Sequence, residues 1–211
     1  LKLPLYPFQR AGVQWIDMHG GRALVSDEPG LGKSAQALGW LKIRPEALPT
    51  LVVCPAALRI NWQREVAKFT DFKCLVIASK SSVDDIRKLG VDAAEEPIDG
   101  YDIVVVNYDL LKFAKDTKAA TVNGRPMQVY AHFKTVIFDE IHYLKDQKSQ
   151  RGKAGLALSK SVKHVLGLTG TPIMNRPVEL FNPMQCVDAS VFPKFFPFAT
   201  RYCAAERGRF G

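Results

Sequence analysis

The chain has 211 residues, enough for one large α/β domain with a substantial core. With 47% hydrophobic and 24% charged residues it has globular composition, and no apolar run approaches the ~20 residues of a membrane span, which argues against a membrane protein. The formal net charge of +8 suits a polyanionic partner, and four cysteines without a Cys-x-x-Cys pair argue against a zinc or disulfide framework.

In chain order, residues 5–18 form the first predicted element. Pro7 can open a helix, and Ala11, Trp15 and Met18 fall on one face, with Trp15 expected in the core. Ala23-Leu24-Val25 reads as a short strand, and Ala35, Leu38 and Leu41 follow at helical spacing. Between them lies Asp27-Glu28-Pro29-Gly30-Leu31-Gly32-Lys33-Ser34, a glycine-rich turn from strand to helix. Glycine lets backbone N–H groups approach phosphates, and the positive end of the helix adds to their pull. Lys33 can reach the β/γ-phosphates of a nucleotide, and Ser34 can ligate Mg²⁺. The match to G-x-x-x-x-G-K-[ST] is imperfect, because Asp27 stands where the first glycine belongs. An ordinary glycine-rich turn with a surface lysine is the plain alternative.

Thr50-Leu51-Val52-Val53-Cys54 is a second strand, stopped by Pro55, and Leu58, Trp62, Val66 and Phe69 form one stripe of the next helix. Residues 73–78 read as a third strand, and residues 79–100 as a polar, acidic helix and loop. Residues 102–107 are a continuous apolar run, as expected of a buried parallel strand. Asn123-Gly124 between alternating segments predicts a small β-hairpin insertion near residues 118–130. Thr135-Val136-Ile137-Phe138 is another strand, ending in Asp139-Glu140-Ile141-His142. Ligands gather at the carboxyl ends of strands in open α/β sheets. There one carboxylate can hold Mg²⁺ and the next can activate an attacking water, which makes Asp139 the metal candidate and Glu140 the base. A basic run (Lys145, Lys148, Arg151, Lys153, Lys160, Lys163) surrounds a helix with Ala154, Leu158 and Val162 on its apolar face. It suits either DNA phosphate or a solvated surface. His164-Val165-Leu166-Gly167-Leu168 is the last strand, followed by Thr169-Gly170-Thr171-Pro172.

These segments, in this order, resemble the Swi/Snf-type helicase-like ATPases of superfamily 2 along nearly the whole chain. Asp27 to Ser34 is similar to their motif I, Val53 to Trp62 to motif Ia, Asn107-Tyr108-Asp109-Leu110-Leu111 to motif Ib, Asp139 to His142 to the DExH box, and Leu168 to Leu180 to motif III. Leu5 to Trp15 resembles the Q-motif region, which makes Gln9 the residue expected to read the adenine edge. The segment from Phe195 onwards weakly resembles the subgroup that anneals DNA and remodels stalled forks.

The resemblance implies a RecA-like domain: a central, mostly parallel sheet with helices on both faces, spanning residues 1–211. It implies ATP and Mg²⁺ as cofactors, held by Gln9, Asp27, Pro29, Gly30, Leu31, Gly32, Lys33 and Ser34 for ATP and by Ser34 and Asp139 for Mg²⁺. Lys33, Asp139 and Glu140 would carry catalysis, and His142, Thr169, Gly170 and Thr171 would couple it to DNA. Pro55, Ala56, Arg59, Asn107 and Tyr108 would face double-stranded or forked DNA. It also implies a second RecA-like domain, absent from this sequence, whose arginines stabilise the transition state, so that this chain alone should turn over poorly. The setting would be intracellular: the nucleus in a eukaryote, the cytoplasm or nucleoid in a bacterium or phage. The rival classes are another P-loop enzyme, such as a nucleotide kinase or a restriction-type translocase subunit, and a non-catalytic lobe that only docks DNA or a partner. Stimulation by DNA separates the motor from the kinase.

Overall fold

A computed structural model describes residues 1–77, 100–111, 121–122, 125–126 and 133–204. Five of its six main strands are short, mainly apolar runs rich in Val, Ile and Leu: β1 (Arg22–Val25), β2 (Thr50–Cys54), β3 (Cys74–Val76), β4 (Ile103–Asn107) and, after an insertion, β7 (Thr135–Asp139). The sixth, β8 (His164–Leu168), carries a glycine. β2, β7 and β8 are buried at every residue, as strands covered on both faces must be. They join in the order β1-β8-β7-β2-β4-β3, and every pairing is parallel. The expected α/β architecture is present, with a main sheet that is wholly parallel.

Strand alternation divides the core into two layers. Val52, Cys54, Ile103, Val105, Ile137, Leu166 and Leu168 meet α1 (Pro7–Met18), α2 (Lys33–Ile43) and α3 (Arg59–Phe69). Leu51, Val53, Val104, Val106, Val136, Phe138 and Val165 meet α4 (Gln150–Ser161) and α5 (Phe181–Val187) on the opposite face. A last helix, α6 (Phe195–Cys203), lies against the segment before α5. Arg22 ties β1 to the second layer. Its guanidinium donates to the carbonyls of Ser159, Val162, Lys163 and Val187, which lie at the ends of α4 and α5.

Three expectations change or narrow. The buried face of α1 is Gln9, Val13 and Ile16, while Trp15 and Met18 are 53% and 81% exposed. Both stripes have helical spacing; the one that includes Val13 and Ile16 packs on α2 and the sheet. β3 ends at Val76, and the segment expected as helix and loop at 79–100 lies outside the described residues apart from Gly100. β5 (Thr121–Val122) and β6 (Arg125–Pro126) pair antiparallel as the hairpin requires, though the Asn123-Gly124 turn itself lies outside the described residues.

Candidate nucleotide site

The sheet order sets the site. β1, β8 and β7 are neighbours, so the loops after their carboxyl ends are brought together although they are far apart in sequence. These loops carry Asp27 to Ser34, Thr169 to Thr171, and Asp139 to His142.

The first loop is shaped by two glycines. Gly30 and Gly32 have φ of 85° and 78°, the left-handed region, and Gly32 is the residue that opens α2. The Lys33 ammonium folds back onto the loop and donates to the carbonyls of Asp27 at 2.7 Å and Glu28 at 3.1 Å. A lysine bonded to neutral carbonyls beside the start of a helix is available to an anion that offers more charge. Gln9 braces the loop from α1: it is buried, its Oε1 accepts from Tyr6 N–H, and its Nε2 donates to Leu31 O at 3.1 Å. Gln9 thus also shapes the cradle, beyond the adenine contact expected of it. Gln36, fully buried in α2, does the same from the other side by donating to Asp27 Oδ2 at 2.6 Å. The helix spacing alone gave Gln36 no role. A buried amide on an otherwise apolar helix face is the signal that could have found it.

Asp139 sits at the end of β7 with only 9% of its surface exposed. Trp62 Nε1 donates to its Oδ2 at 2.8 Å, and the Glu140 N–H donates to its Oδ1 at 3.1 Å. Burial pushes the Asp139 carboxyl above the usual carboxylate range, and the Glu140 charge adds to this. The Trp62 indole N–H opposes it, as do the Glu140 N–H and the Lys33 charge.

Glu140 follows in a left-handed conformation, φ 52°, which is strained for a residue with a side chain. That turn carries its carboxylate across to β8. Thr169 Oγ1 donates to Glu140 Oε2 at 3.2 Å, and His142 Nδ1 lies 3.2 Å from the same oxygen and 3.1 Å from Thr169 Oγ1. Thr171 N–H closes the group by donating to Thr169 Oγ1 at 3.1 Å. Burial pushes the His142 imidazole below its ordinary value, against the opposing pull of Glu140, so the ring is neutral at pH 7. Gly170 leans on the first loop: a Cβ there would lie 2.8 and 2.9 Å from the Pro29 ring. The three loops are therefore in direct contact.

The residues expected to face DNA behave differently. Pro55 and Ala56 lie at or near the surface after β2, and Asn107 ends β4 and caps the next turn by accepting from Leu110 N–H. Arg59 is half-buried and donates to the carbonyls of Ala56 at 3.1 Å and Ile77 at 3.0 Å. Tyr108 is a correction. Its ring is 2% exposed, it stacks on Tyr143 at 5.2 Å, and its hydroxyl donates to the Asp139 carbonyl at 2.8 Å. A side chain enclosed in this way cannot also meet a duplex.

Among the described residues no three His, Cys, Asp or Glu side chains converge as a metal cage. Mg²⁺ is usually held by one or two carboxylates together with substrate phosphates and water. Asp139, a buried carboxylate beside the glycine-rich loop, fits such a role, with the Ser34 hydroxyl at the start of α2 as the second protein oxygen.

Residues 8–205 match the model of the SNF2-related domain. The chain is 35% identical over 206 residues to the SWI/SNF-related matrix-associated actin-dependent regulator of chromatin subfamily A-like protein 1 homolog of Caenorhabditis elegans, covering 98% of this chain and 27% of that protein. It is 32% identical over 215 residues to the DNA annealing helicase and endonuclease ZRANB3 of Homo sapiens, covering 100% of this chain and 18% of that one. The chain thus spans between 18% and 27% of the length of these two relatives. The solved Sulfolobus solfataricus SWI2/SNF2 ATPase core in complex with dsDNA superposes over 97% of this chain and 40% of that one, with a TM-score of 0.71 and 23% identity, which speaks for the fold.

Proposed function

This chain belongs to the SNF2-related family, and from that premise we propose that it is the N-terminal, ATP-binding RecA-like half of a DNA-stimulated ATPase that translocates on double-stranded or forked DNA. A second RecA-like domain would complete it. The observation that carries the reading is that the loop after β8 touches both others at one edge of the sheet, Gly170 against the Pro29 ring and Thr169 bonded to Glu140.

Each residue has a task in this reading. The loop from Asp27 to Ser34 cradles the phosphates, with Lys33 exchanging its two carbonyl partners for the β/γ-phosphate oxygens. Ser34 and Asp139 would hold Mg²⁺, which would supply charge neutralisation at the phosphates. Glu140 orients the attacking water and accepts its proton. For that, its carboxylate leaves or shares the bonds from Thr169 and His142, so the occupied state of the site is felt at residues 169–171. His142, neutral at pH 7, can donate to Glu140 without adding a cation to the site.

The test is the ATPase rate with and without duplex DNA, measured on this chain and on a longer chain that contains it. The expected result is strong stimulation of the longer chain and near silence of this one. Rapid, DNA-independent hydrolysis by this chain alone overturns the translocase reading in favour of a self-contained nucleotide enzyme.

A further inference from the structure

Asp139 is held by two buried aromatic donors that come from the opposite half of the sheet. Trp62 lies on α3, which follows β2, and its indole N–H donates to Asp139 Oδ2 at 2.8 Å across 77 residues of sequence. Tyr108 directly follows β4, and its hydroxyl donates to the Asp139 main-chain oxygen at 2.8 Å across 31 residues. Both side chains are enclosed, at 1% and 2% exposure, so water does not compete for either bond.

A buried indole N–H needs a partner, and any backbone carbonyl would satisfy it. Here the partner is a carboxylate whose other oxygen already accepts from Glu140 N–H. Two N–H groups, one on each oxygen, fix the carboxylate plane and leave its remaining lone pairs in a set direction. The Tyr108 bond fixes the main chain of the same residue, just before the strained turn at Glu140. The segments after β2, the neighbour of β7, and after β4, the next strand on that side, thus each send one donor to Asp139.

We propose that Trp62 and Tyr108 are positioning residues, holding the side chain and main chain of Asp139 in place for the divalent cation that accompanies the nucleotide. The proposal rests on the reading of Asp139 as a metal-holding carboxylate. Outer partners of this kind are commonly worth 10- to 100-fold in metal affinity.

The test is calorimetric titration of this chain with a non-hydrolysable ATP analogue, once in Mg²⁺ and once in EDTA. The quantity read is the gain in affinity that Mg²⁺ confers, a ratio that a general loss of folding does not move. Trp62→Phe should shrink this gain about tenfold and Tyr108→Phe about threefold, with the EDTA affinity within about twofold of the parent in both. Tyr108→Phe removes a single oxygen, so it decides the matter if Trp62→Phe fails to fold. Asp139→Ala is the reference. If Asp139→Ala abolishes the gain while both aromatic variants keep it, the positioning proposal is overturned and the metal reading stands. If the gain survives Asp139→Ala, both are overturned.

Discussion

Along the carboxyl edge of the sheet, the half formed by β1, β8 and β7 and the half formed by β2, β4 and β3 use their residues in opposite ways. In the first half the loops after the strands turn toward one another: Glu140 meets Thr169 and His142, and Gly170 touches Pro29. In the second half Pro55 and Ala56 stay at or near the surface, while two of the expected contact residues bond into the fold. Tyr108 bonds to Asp139, and Arg59 to the carbonyls of Ala56 and Ile77. A motif therefore marks a position on the chain more securely than it marks the direction in which a side chain points. The second half serves the first as a support, whatever its surface also meets.

Substitutions can break this contrast, and the largest effect is expected at Glu140. Glu140→Gln removes the general base while keeping size and most hydrogen bonds, so kcat in the DNA-stimulated longer chain should fall by about 10²–10⁴ with nucleotide affinity little changed. An equal loss in both would move Glu140 from chemistry to binding. Lys33→Ala should weaken Mg²⁺-nucleotide binding by about 100-fold, the worth of roughly 3 kcal/mol in a charge-assisted contact. Calorimetry on this chain reads it directly.

Gly170→Ala adds a methyl group against the Pro29 ring, which cannot rotate away. The expected cost is about 1–3 kcal/mol of stability in urea unfolding, together with a few-fold loss of nucleotide affinity as the first loop shifts. Arg59→Ala should cost about 1–2 kcal/mol of stability, because it leaves two carbonyls without their donor. Its effect on duplex binding sharpens the contrast between the halves. If Arg59 is committed to the fold, the salt dependence of DNA affinity stays the same. A slope reduced by about one charge would place Arg59 on the phosphates instead.

The smallest expected effect is a pH dependence at His142. Its folded-state value lies below the ordinary one of 6.5, so as pH falls the unfolded chain takes up this proton before the folded one. The contribution is present above pH 6.5 and is lost as pH drops from there toward the lowered value. His164, lowered by burial in the same direction, adds a slope of the same sign. Urea unfolding from pH 7.5 to 5 should show stability falling toward acid, and His142→Gln should remove part of that slope and leave the part due to His164.

Much of the strand order along the chain was legible because each buried strand is a short apolar run between turn signals, and α3 and α4 announced their buried stripes by spacing alone. The glycine-rich loop was legible because its chemistry is local: glycines, a lysine and a hydroxyl at the start of one helix. α1 was misread because two of its stripes have helical spacing, and only packing against α2 and the sheet selects Val13 and Ile16 over Trp15 and Met18. Tyr108 was misread because a tyrosine at a strand end suits a surface or a core equally, and the choice lies in Asp139, 31 residues away.

The sequence by itself determined which segments are strands, which loops end them, and which residue types stand ready for a phosphate, a cation and a water. Local spacing and local chemistry are enough for that. Only the tertiary structure decided that β8 lies between β1 and β7, and so that Thr169 meets Glu140. It alone decided that Trp62 reaches Asp139 from 77 residues away. Those pairings follow from how helices cover both faces of a parallel sheet, a property of the whole core that no single segment contains.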